Sequence, residues 1–405
     1  MIVTHEHEVV ENIPESVKSK FKESNLEKIS PENFLGLHYE LEKGQPVVKA
    51  YYYIGLCWLE ENETLMVKPK IDNLNYLKMF MDCFKQPEIS EHLNKIYKIY
   101  IDEPPISIEN NPFELTPFLI VHFLNVVESI VKKGLKKGYV KVNENLTSKI
   151  KGKILVNQTI KKNHLNFRFD KTYCNYELFT IDCEENRILK KALVFANKFL
   201  FNNPIYNELQ QLLRFNLSFF ENVSDTIENE RIKHIKVNSF FHEYKQGLEL
   251  AKLILRYVSY SPHEEQRFKI DKFPPFYINM ALLFELYAYG KLIEIFGHDN
   301  IVYQYKSDSG IPDFLNTDNQ EILDAKYKTQ YANSYELEDI RQLSGYARDV
   351  GINQFLKKAS NAVLDCFIVY PVLTPNNVNI SNYKRNPISG FTNFYKIGIS
   401  VPLKI

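Results

Sequence analysis

Apolar residues recur at helical spacing in six segments of this chain. In each segment hydrophobic side chains return every three or four residues, which places them on one face of an α-helix. The six segments are residues 74–100, 113–137, 185–200, 243–258, 276–295 and 337–347. The second is the most regular, and Gly134 and Gly138 are expected to end it because glycine disfavours the helical conformation.

Runs rich in β-branched and aromatic residues predict strands between these helices. The runs lie at residues 47–59, 139–172, 301–306, 313–315, 321–328 and 366–371, and the second contains turns as well as strands. Glu103-Pro104-Pro105 interrupts the pattern early in the chain. Pro262 and Pro274-Pro275 precede its last part, so we place a domain boundary near residue 262.

With 405 residues the chain is too long for one ordinary compact domain, and two or three are expected. We predict an α/β protein, α+β overall, with an N-terminal domain, a middle region and a C-terminal domain. Their bounds are residues 1–138, 139–261 and 262–405.

The composition and the first residues of the sequence limit the classes of protein to which this chain can belong. The chain is 44% hydrophobic and 25% charged, which is typical of a folded protein. No run approaches the roughly 20 apolar residues of a membrane helix, and the first residues lack the features of a secretory signal. Five cysteines without a CxxC pair argue against a disulfide scaffold or a zinc ribbon. We therefore predict a cytoplasmic protein with reduced cysteines and no membrane partner.

Positive charge is concentrated although the net charge is zero. The segment from Lys132 to Lys162 contains ten lysines and a single acid, Glu144. Such a run is typical of a surface that tracks phosphates or docks an acidic protein. The candidates for binding DNA or a partner are Lys132, Lys133, Lys136, Lys137, Lys151 and Lys153. An ordinary solvated face, with its charge balanced elsewhere in the fold, explains the run equally well.

The candidate chemistry lies in the C-terminal third. Glu285 falls on the apolar side of the helix predicted at 276–295, where an unpartnered carboxylate costs several kcal/mol. Asp313 opens a short strand, and EILDAKYK follows at 321–328. Strand alternation places Asp324 and Lys326 on one face, about 7 Å apart along the strand. These residues together predict one site.

Two carboxylates and a lysine are the groups that phosphodiester hydrolysis with a hard cation requires. Mg²⁺ prefers oxygen ligands, so Asp313 and Asp324 are candidate ligands, with Mn²⁺ as an alternative metal. A bound metal polarises the phosphoryl oxygen and lowers the pKa of its water. The ammonium of Lys326 can orient that water and offset charge that develops on the phosphate.

The order of these features resembles the PD-(D/E)xK nuclease superfamily, which has a restriction-endonuclease-like αβββαβ core. The resemblance implies that Asp313 and Asp324 bind the metal, that Lys326 is the catalytic lysine and that Glu285 supports the metal from the first helix. Residues 337–347 then resemble the Q-x-x-x-Y helix of the RecB-like branch. Gln342 and Tyr346 would brace the site or contact DNA.

A second resemblance covers about residues 140 to 405. The segments KIKGKILVNQTIKKN, F-x-F-D at 167–170, DCEENRILKKAL at 182–193 and HEYKQGLELAKLIL at 242–255 are similar to the McrC family. That family supplies the nuclease subunit of the McrBC restriction system, a type IV, 5-methylcytosine-dependent defence. Its middle region contains a strand, a short basic helix and an N-R-[IV]-[LI]-K helix.

What the McrC resemblance implies is an endonuclease subunit that works with a hexameric AAA+ GTPase, McrB. The N-terminal part would bind the motor and stimulate its GTP hydrolysis, and cleavage would follow when two complexes, or two nuclease domains, meet. No G-x-x-x-x-G-K-[ST] loop occurs in the sequence, so no nucleotide is expected to bind this chain itself. Two alternatives remain: a self-sufficient defence or repair nuclease, and a non-catalytic regulator of a motor.

Overall fold

The computed structural model describes most of the chain, namely residues 1–23, 34–42, 45–84, 89, 92, 95–100, 103–107, 115–201, 207–227, 242–259, 272–373 and 386–404. The strands are β1 (Ile2–His5), β2 (His38–Glu42), β3 (Gln45–Lys49), β4 (Tyr53–Glu60), β5 (Glu63–Lys68), β6 (Tyr97–Ile99), β7 (Ile106–Ser107), β8 (Gly138–Thr147), β9 (Lys153–Ile154), β10 (Lys171–Thr180), β11 (Lys272–Phe273), β12 (Phe276–Asn279), β13 (Ile301–Tyr303), β14 (Phe314–Asn316), β15 (Glu321–Ala325), β16 (Asp365–Val372) and β17 (Phe394–Ser400). The helices are α1 (Glu15–Glu23), α2 (Tyr76–Cys83), α3 (Leu115–Lys133), α4 (Val156–Lys162), α5 (Glu184–Phe201), α6 (Asn207–Phe219), α7 (His242–Ser259), α8 (Met280–Phe296), α9 (Leu337–Tyr346) and α10 (Val350–Phe355).

Mixed helices and strands bear out the predicted α/β character of the chain. All five cysteines are free thiols, and four of them are buried. Within the residues that the structure describes, no helix combines the length and the apolar character needed to cross a membrane.

The chain forms two compact units that do not follow the three consecutive regions predicted from sequence. One unit contains residues 1–114 together with 269–405, and the other contains residues 115–268. The predicted boundary near 262 lies close to the second junction, but the boundary at 138 does not match the first. The helix α3 belongs to the middle unit because it packs against α6 and α7. The N-terminal residues therefore share a unit with the candidate site.

Strand β12 explains why the first and last parts of the chain form one unit. It pairs antiparallel with both β4 and β6, within a sheet of order β1-β5-β4-β12-β6. In this sheet β1 runs parallel to β5, and β4 and β5 form an antiparallel hairpin. Gly55 in β4 has φ +146°, and a Cβ there would lie 2.1 Å from the carbonyl oxygen of Phe276. Only glycine allows β12 to approach this closely.

A second sheet in this unit carries the candidate site. Its order is β13-β14-β15-β16-β17, antiparallel from β13 to β15 and parallel from β15 to β17. Helix α8 contacts β13 and β15, and α9 contacts β15. A core of buried apolar side chains lies under α9 and α10, and it includes Leu315, Ile322, Leu343, Ile352 and Ile368. Strand β17 and the short helix α10 were not predicted from the sequence.

Two predicted helices have different bounds in the structure. The helix predicted from residue 276 begins at Met280, because residues 276–279 pair as β12 and Asn279 caps α8 by accepting a hydrogen bond from the Leu282 amide at 3.0 Å. The segment predicted as helix at 74–100 contains only α2 and then β6, and some of its residues lie outside the described ones. Long-range pairing, which periodicity does not reveal, decides both cases.

The middle unit is a bundle of helices with a three-stranded sheet of order β8-β10-β9, in which β8 and β10 form a long ribbon. Helices α3, α5, α6 and α7 pack against one another, and β8 and β10 pair over ten residues each. Asn186, at the start of α5, is buried at the base of the ribbon. Its side-chain amide donates to the carbonyls of Lys136 and Ile181, at 2.9 and 2.7 Å, and its oxygen accepts from the Tyr244 hydroxyl. Asn186 of the N-R-I-L-K segment thus anchors both strands of the ribbon to the bundle at the end where β8 begins and β10 ends.

Candidate active site

The four principal residues of the predicted site come together at one edge of the second sheet. Asp313 immediately precedes β14, and Asp324 lies near the end of the neighbouring β15. The Asp313 carboxylate accepts a hydrogen bond from the amide of Ala325 at 2.8 Å, which joins the two strand ends. Lys326 follows directly, and Glu285 reaches the same region from the middle of α8.

Glu285 is half-buried and held by two polar side chains. Its Oε1 accepts hydrogen bonds from the Tyr303 hydroxyl at 2.8 Å and from the Gln304 amide at 3.0 Å. Burial raises the pKa of Glu285, and the charge of Asp324 adds to this, although the two hydrogen bonds oppose it. The two hydrogen bonds therefore offset only part of the cost of burying the Glu285 carboxylate on the apolar face of α8.

Burial raises the pKa of both aspartates as well. Burial raises the pKa of Asp313 well above its usual range, and the negative charges of Asp324 and Glu285 raise it further. Burial also raises the pKa of Asp324, which is 1% exposed, against the lowering effect of the Lys326 ammonium. Three acids thus repel one another in a desolvated place. Such a cluster is unfavourable unless positive charge is supplied.

Lys326 supplies part of that charge. Its Nζ lies 2.6 Å from Asp324 Oδ2 and 3.9 Å from Asp339 Oδ1, and it donates a hydrogen bond to Gln342 Oε1 at 3.0 Å. Burial alone would lower the pKa of Lys326, but the surrounding carboxylates outweigh burial and raise it. The lysine is therefore a fully protonated cation that points into the acid cluster.

Helix α9 braces the site through the two residues that the sequence singled out. Gln342 accepts from Lys326 and donates to the Tyr346 hydroxyl at 3.1 Å, and that hydroxyl donates to the carbonyl of Ile311 at 3.4 Å. The Tyr346 ring also approaches Gly310, where an added Cβ would lie 3.0 Å away. Gln342 and Tyr346 consequently connect the lysine with the loop that precedes Asp313.

Further polar residues around the site were not identified from the sequence. Asp339, one turn before Gln342 on α9, accepts hydrogen bonds from Lys328 at 2.9 Å and from the Tyr331 hydroxyl. Lys328 also contacts Glu336. The alternation of EILDAKYK, continued past Lys326, was an available signal for Lys328, and the helical spacing of Asp339 and Gln342 was a second one.

Asp349 anchors the loop before Asp313. Its Oδ2 accepts hydrogen bonds from the Ser309 amide at 2.9 Å and from the Ser309 hydroxyl at 2.7 Å, while Oδ1 caps α10 by accepting from the Ile352 amide at 3.0 Å. Burial would raise the pKa of Asp349, but these hydrogen bonds outweigh it and lower the pKa to about 2. The carboxylate form therefore stabilises the folded state.

Substituting Asp349→Asn is expected to destabilise the protein at neutral pH by on the order of 1 kcal/mol, because charge-assisted bonds to Ser309 become neutral ones. The folded pKa lies below the usual value of 3.8, so this stabilisation is complete above pH 3.8 and is lost as the pH falls towards 2. Chemical denaturation at pH 6 and pH 3 measures it. A difference between wild type and variant that does not shrink at pH 3 would contradict the assignment.

The acids of the candidate site are chemically the kind of ligand that a hard cation prefers. In the described part of the chain, no three His, Cys, Asp or Glu side chains already stand in an arrangement that could hold a metal ion. The Lys326 ammonium instead lies against Asp324. Glu285, Asp313 and Asp324 nevertheless offer carboxylate oxygens only, and their mutual repulsion favours a cation among them. The residues present therefore fit Mg²⁺ or Mn²⁺.

The lysine-rich segment in the middle unit divides into two groups. Lys132 pairs with Glu128 at 2.8 Å, Lys136 pairs with Glu185 at 2.6 Å, and Lys133 pairs with Glu243. The charge of these three is balanced within the fold, which favours the ordinary structural explanation for them. Among the described residues no ion pair involves the other candidates, Lys137, Lys151 and Lys153, which are exposed as Lys132 and Lys133 are, and the Lys151 ammonium lies 5.2 Å from the centre of the Tyr176 ring.

Comparison with known proteins identifies the class. Residues 48–356, more than half of the chain, match the family described as McrBC 5-methylcytosine restriction system component. The chain belongs to this family, and the family resemblance found in the sequence is confirmed. Among curated proteins, no sequence matches closely enough to count as a relative.

Similar solved structures come from Thermococcus gammatolerans. One is a half-complex from a tetradecameric assembly of McrB AAA+ hexamers with bound McrC; it is 17% identical, covers 98% of this chain and 94% of that chain, and has a TM-score of 0.40. Another is the McrBC complex, which is 17% identical, covers 76% of this chain and 89% of that chain, and has a TM-score of 0.34.

Proposed function

We propose that this chain is the endonuclease subunit of a McrBC-like, 5-methylcytosine-dependent restriction system and hydrolyses phosphodiester bonds in DNA. The observation that carries the proposal is the contact of Lys326 with Asp324, beside Asp313 and Glu285. A lysine in a cluster of desolvated acids is suited to phosphoryl chemistry, because the acids need positive charge and the phosphate brings negative charge. Membership of a restriction-system family supports the same conclusion.

The acids, the lysine and Gln342 have different tasks in this proposal. Glu285, Asp313 and Asp324 would hold Mg²⁺, with Mn²⁺ as the alternative. When bound, such an ion polarises the scissile phosphate and lowers the pKa of a water molecule. The Lys326 ammonium neutralises charge on the phosphate and orients the attacking water by hydrogen bonding. Gln342 holds that ammonium in place, since its oxygen accepts from Nζ while its amide is fixed by Tyr346.

The C-terminal part of the first unit would then be a PD-(D/E)xK nuclease core. What supports this is the course of the chain from α8 through β13, β14 and β15 to α9 and β16, with both aspartates on neighbouring strand ends. Side chains at the end of a rigid hairpin are held more precisely than side chains on loops, which metal-assisted hydrolysis requires.

We further propose that an AAA+ GTPase of the McrB type is the partner, and that DNA is cut when two complexes or two nuclease domains meet. The family describes a component of a restriction system, and the sequence has no phosphate-binding loop of its own. One solved structure similar to this chain contains McrC bound to McrB AAA+ hexamers. Any nucleotide hydrolysis would accordingly take place in the partner.

The experiment that tests the proposed function compares four reactions on 5-methylcytosine-containing plasmid DNA with Mg²⁺. They contain the chain alone, the partner alone, both proteins, and both proteins with GTP. We expect cleavage only in the last. Cleavage by the chain alone would favour the self-sufficient nuclease. Stimulated GTP hydrolysis without any cleavage would favour the non-catalytic regulator and contradict the proposed function.

A further inference from the structure

Glu6 and Lys70, two charged residues next to the first sheet, lie close to the proposed site. Lys70 contacts Tyr327, which follows Lys326, although Glu6 and Lys70 belong to the N-terminal part of the sequence. Strands β1 and β5 run parallel, so the residues that follow them lie side by side. Glu6 follows β1 and is 2% exposed, and its Oε2 accepts a hydrogen bond from the Lys70 amide at 3.1 Å. Glu6 Oε1 is buried without a hydrogen-bond partner among the described residues.

The side chain of Lys70 extends from this sheet to the residue after Lys326. Its Nζ donates a hydrogen bond to the main-chain carbonyl of Tyr327 and lies 4.0 Å from the centre of the Tyr327 ring. It also lies 5.5 Å from the centre of the Tyr52 ring. A protonated amine is favoured over aromatic faces, so both rings help to keep the ammonium at the carbonyl.

The carbonyl that Lys70 binds belongs to a tight turn. Strand β15 ends at Ala325, and the Lys326 amide still donates to the Val369 carbonyl at 2.8 Å. The Lys328 amide then bonds back to the Lys326 carbonyl at 2.7 Å, so the chain turns within three residues. The Tyr327 carbonyl therefore points out of the strand ladder, and Lys70 is the donor that satisfies it.

Stability does not explain why these charges are buried. Burial raises the pKa of Glu6 to about 7 and lowers the pKa of Lys70 to about 8, although each charge favours the ionised form of the other. Both shifts mean that the protein environment disfavours the ionised forms. Buried charges of this kind often stabilise a fold no better than apolar residues of the same size. We therefore look for the role of Glu6 and Lys70 in the contact of Lys70 with the Tyr327 carbonyl.

We propose that Lys70 is a positioning residue of the proposed active site, which fixes the turn at Tyr327 and thereby the direction in which Lys326 leaves the sheet. Glu6 supports it by keeping positive charge favourable at Nζ. The inference rests on the proposed function only in its catalytic consequence, because the contact between Lys70 and Tyr327 exists whatever the reaction is.

The main test is DNA cleavage by Lys70→Met in the complete complex with its GTPase partner, GTP and Mg²⁺. Methionine keeps the length of the side chain and removes the donor. We expect kcat to fall at least tenfold while the KM for DNA stays within about twofold, because Lys326 is misdirected but the DNA surface is intact. Lys70→Arg should recover most of the loss, since a guanidinium can also donate to the carbonyl. An unchanged kcat in Lys70→Met would overturn the proposal.

Lys68→Met is the matched control. Lys68 ends β5 two residues before Lys70 and is likewise half-buried, so the substitution tests the effect of losing a lysine from this strand end. We expect wild-type kcat. If Lys70→Met does not fold, the double variant Glu6→Gln/Lys70→Met removes the uncompensated acid as well. That variant should fold and still show the lowered kcat, and wild-type activity in it would overturn the proposal.

Hydrogen exchange separates failure of this inference from failure of the proposed function. Amides of residues 326–328 should exchange faster in Lys70→Met than in wild type, and at the wild-type rate in Lys68→Met. This holds even if the wild-type complex cleaves no DNA, a result that would refute only the nuclease assignment. Equal exchange in Lys70→Met and wild type would refute the positioning role.

Discussion

The variant Asp313→Asn is expected to lose DNA cleavage by about a thousandfold or more while remaining at least as stable as the wild type. Asp313 would hold the metal, and metal-ion catalysis contributes several kcal/mol of transition-state stabilisation, which corresponds to a rate factor of this size. Stability should not fall, because burial and the charges of Asp324 and Glu285 already disfavour the Asp313 carboxylate. An asparagine oxygen can still accept the hydrogen bond from the Ala325 amide.

Two measurements check the expected loss of cleavage and the expected stability of Asp313→Asn. Cleavage is followed with partner, GTP and Mg²⁺, and thermal unfolding is followed in a chelator at pH 7.5. Asp318→Asn is the control, since Asp318 is an exposed acid in the turn between β14 and β15 and should behave as wild type in both assays. An Asp313→Asn variant that is unfolded would contradict the predicted stability, and a folded one that cleaves normally would show that Asp313 is not a functional acid.

The substitution Gly55→Ala is expected to lower the free energy of unfolding by about 3 kcal/mol or more. An alanine Cβ would lie 2.1 Å from the Phe276 carbonyl oxygen, so β4 and β12 would have to separate. The backbone at φ +146° adds strain for any residue with a Cβ. Because β12 joins the first and last parts of the chain in one sheet, the loss should also reduce cleavage.

Denaturant unfolding measures the effect of Gly55→Ala, with Gly345→Ala as a control of opposite sign. Gly345 lies in α9, and a Cβ there would meet nothing within 4 Å. Alanine should stabilise that helix by up to about 1 kcal/mol. A Gly55→Ala protein as stable as wild type would mean that β4 and β12 do not pair as described.

The candidate site could be predicted because its signals are local. Asp324 lies on β15 and Lys326 follows the strand end directly, and Gln342 and Tyr346 lie one helical turn apart on α9, so local spacing was enough to pair them. The apolar neighbours of Glu285 on α8 also followed from helical spacing. The conclusion that these elements meet required the family resemblance, since no periodicity links residues in different elements.

The organisation of the first unit could not be predicted in this way. Residues 276–279 have the composition of either a helix start or a strand, and pairing with β4 and β6 decides between them. The contact between Lys70 and Tyr327 joins residues 257 positions apart. Glu128, the partner of Lys132, lies one turn before it on α3, but the acid partners of Lys133 and Lys136 are 110 and 49 positions away along the chain. Tertiary contacts of this kind leave no local pattern.

The most direct test of the central claim is the rate of DNA cleavage as a function of Mg²⁺ concentration, for the wild type and for Asp324→Asn, each assembled with its GTPase partner and GTP. The claim predicts a rate for the wild type that rises with Mg²⁺ to a plateau, and no measurable cleavage by Asp324→Asn at any concentration, while both proteins stimulate GTP hydrolysis equally. Cleavage without Mg²⁺ or Mn²⁺, or a rate for Asp324→Asn equal to that of the wild type, would contradict it.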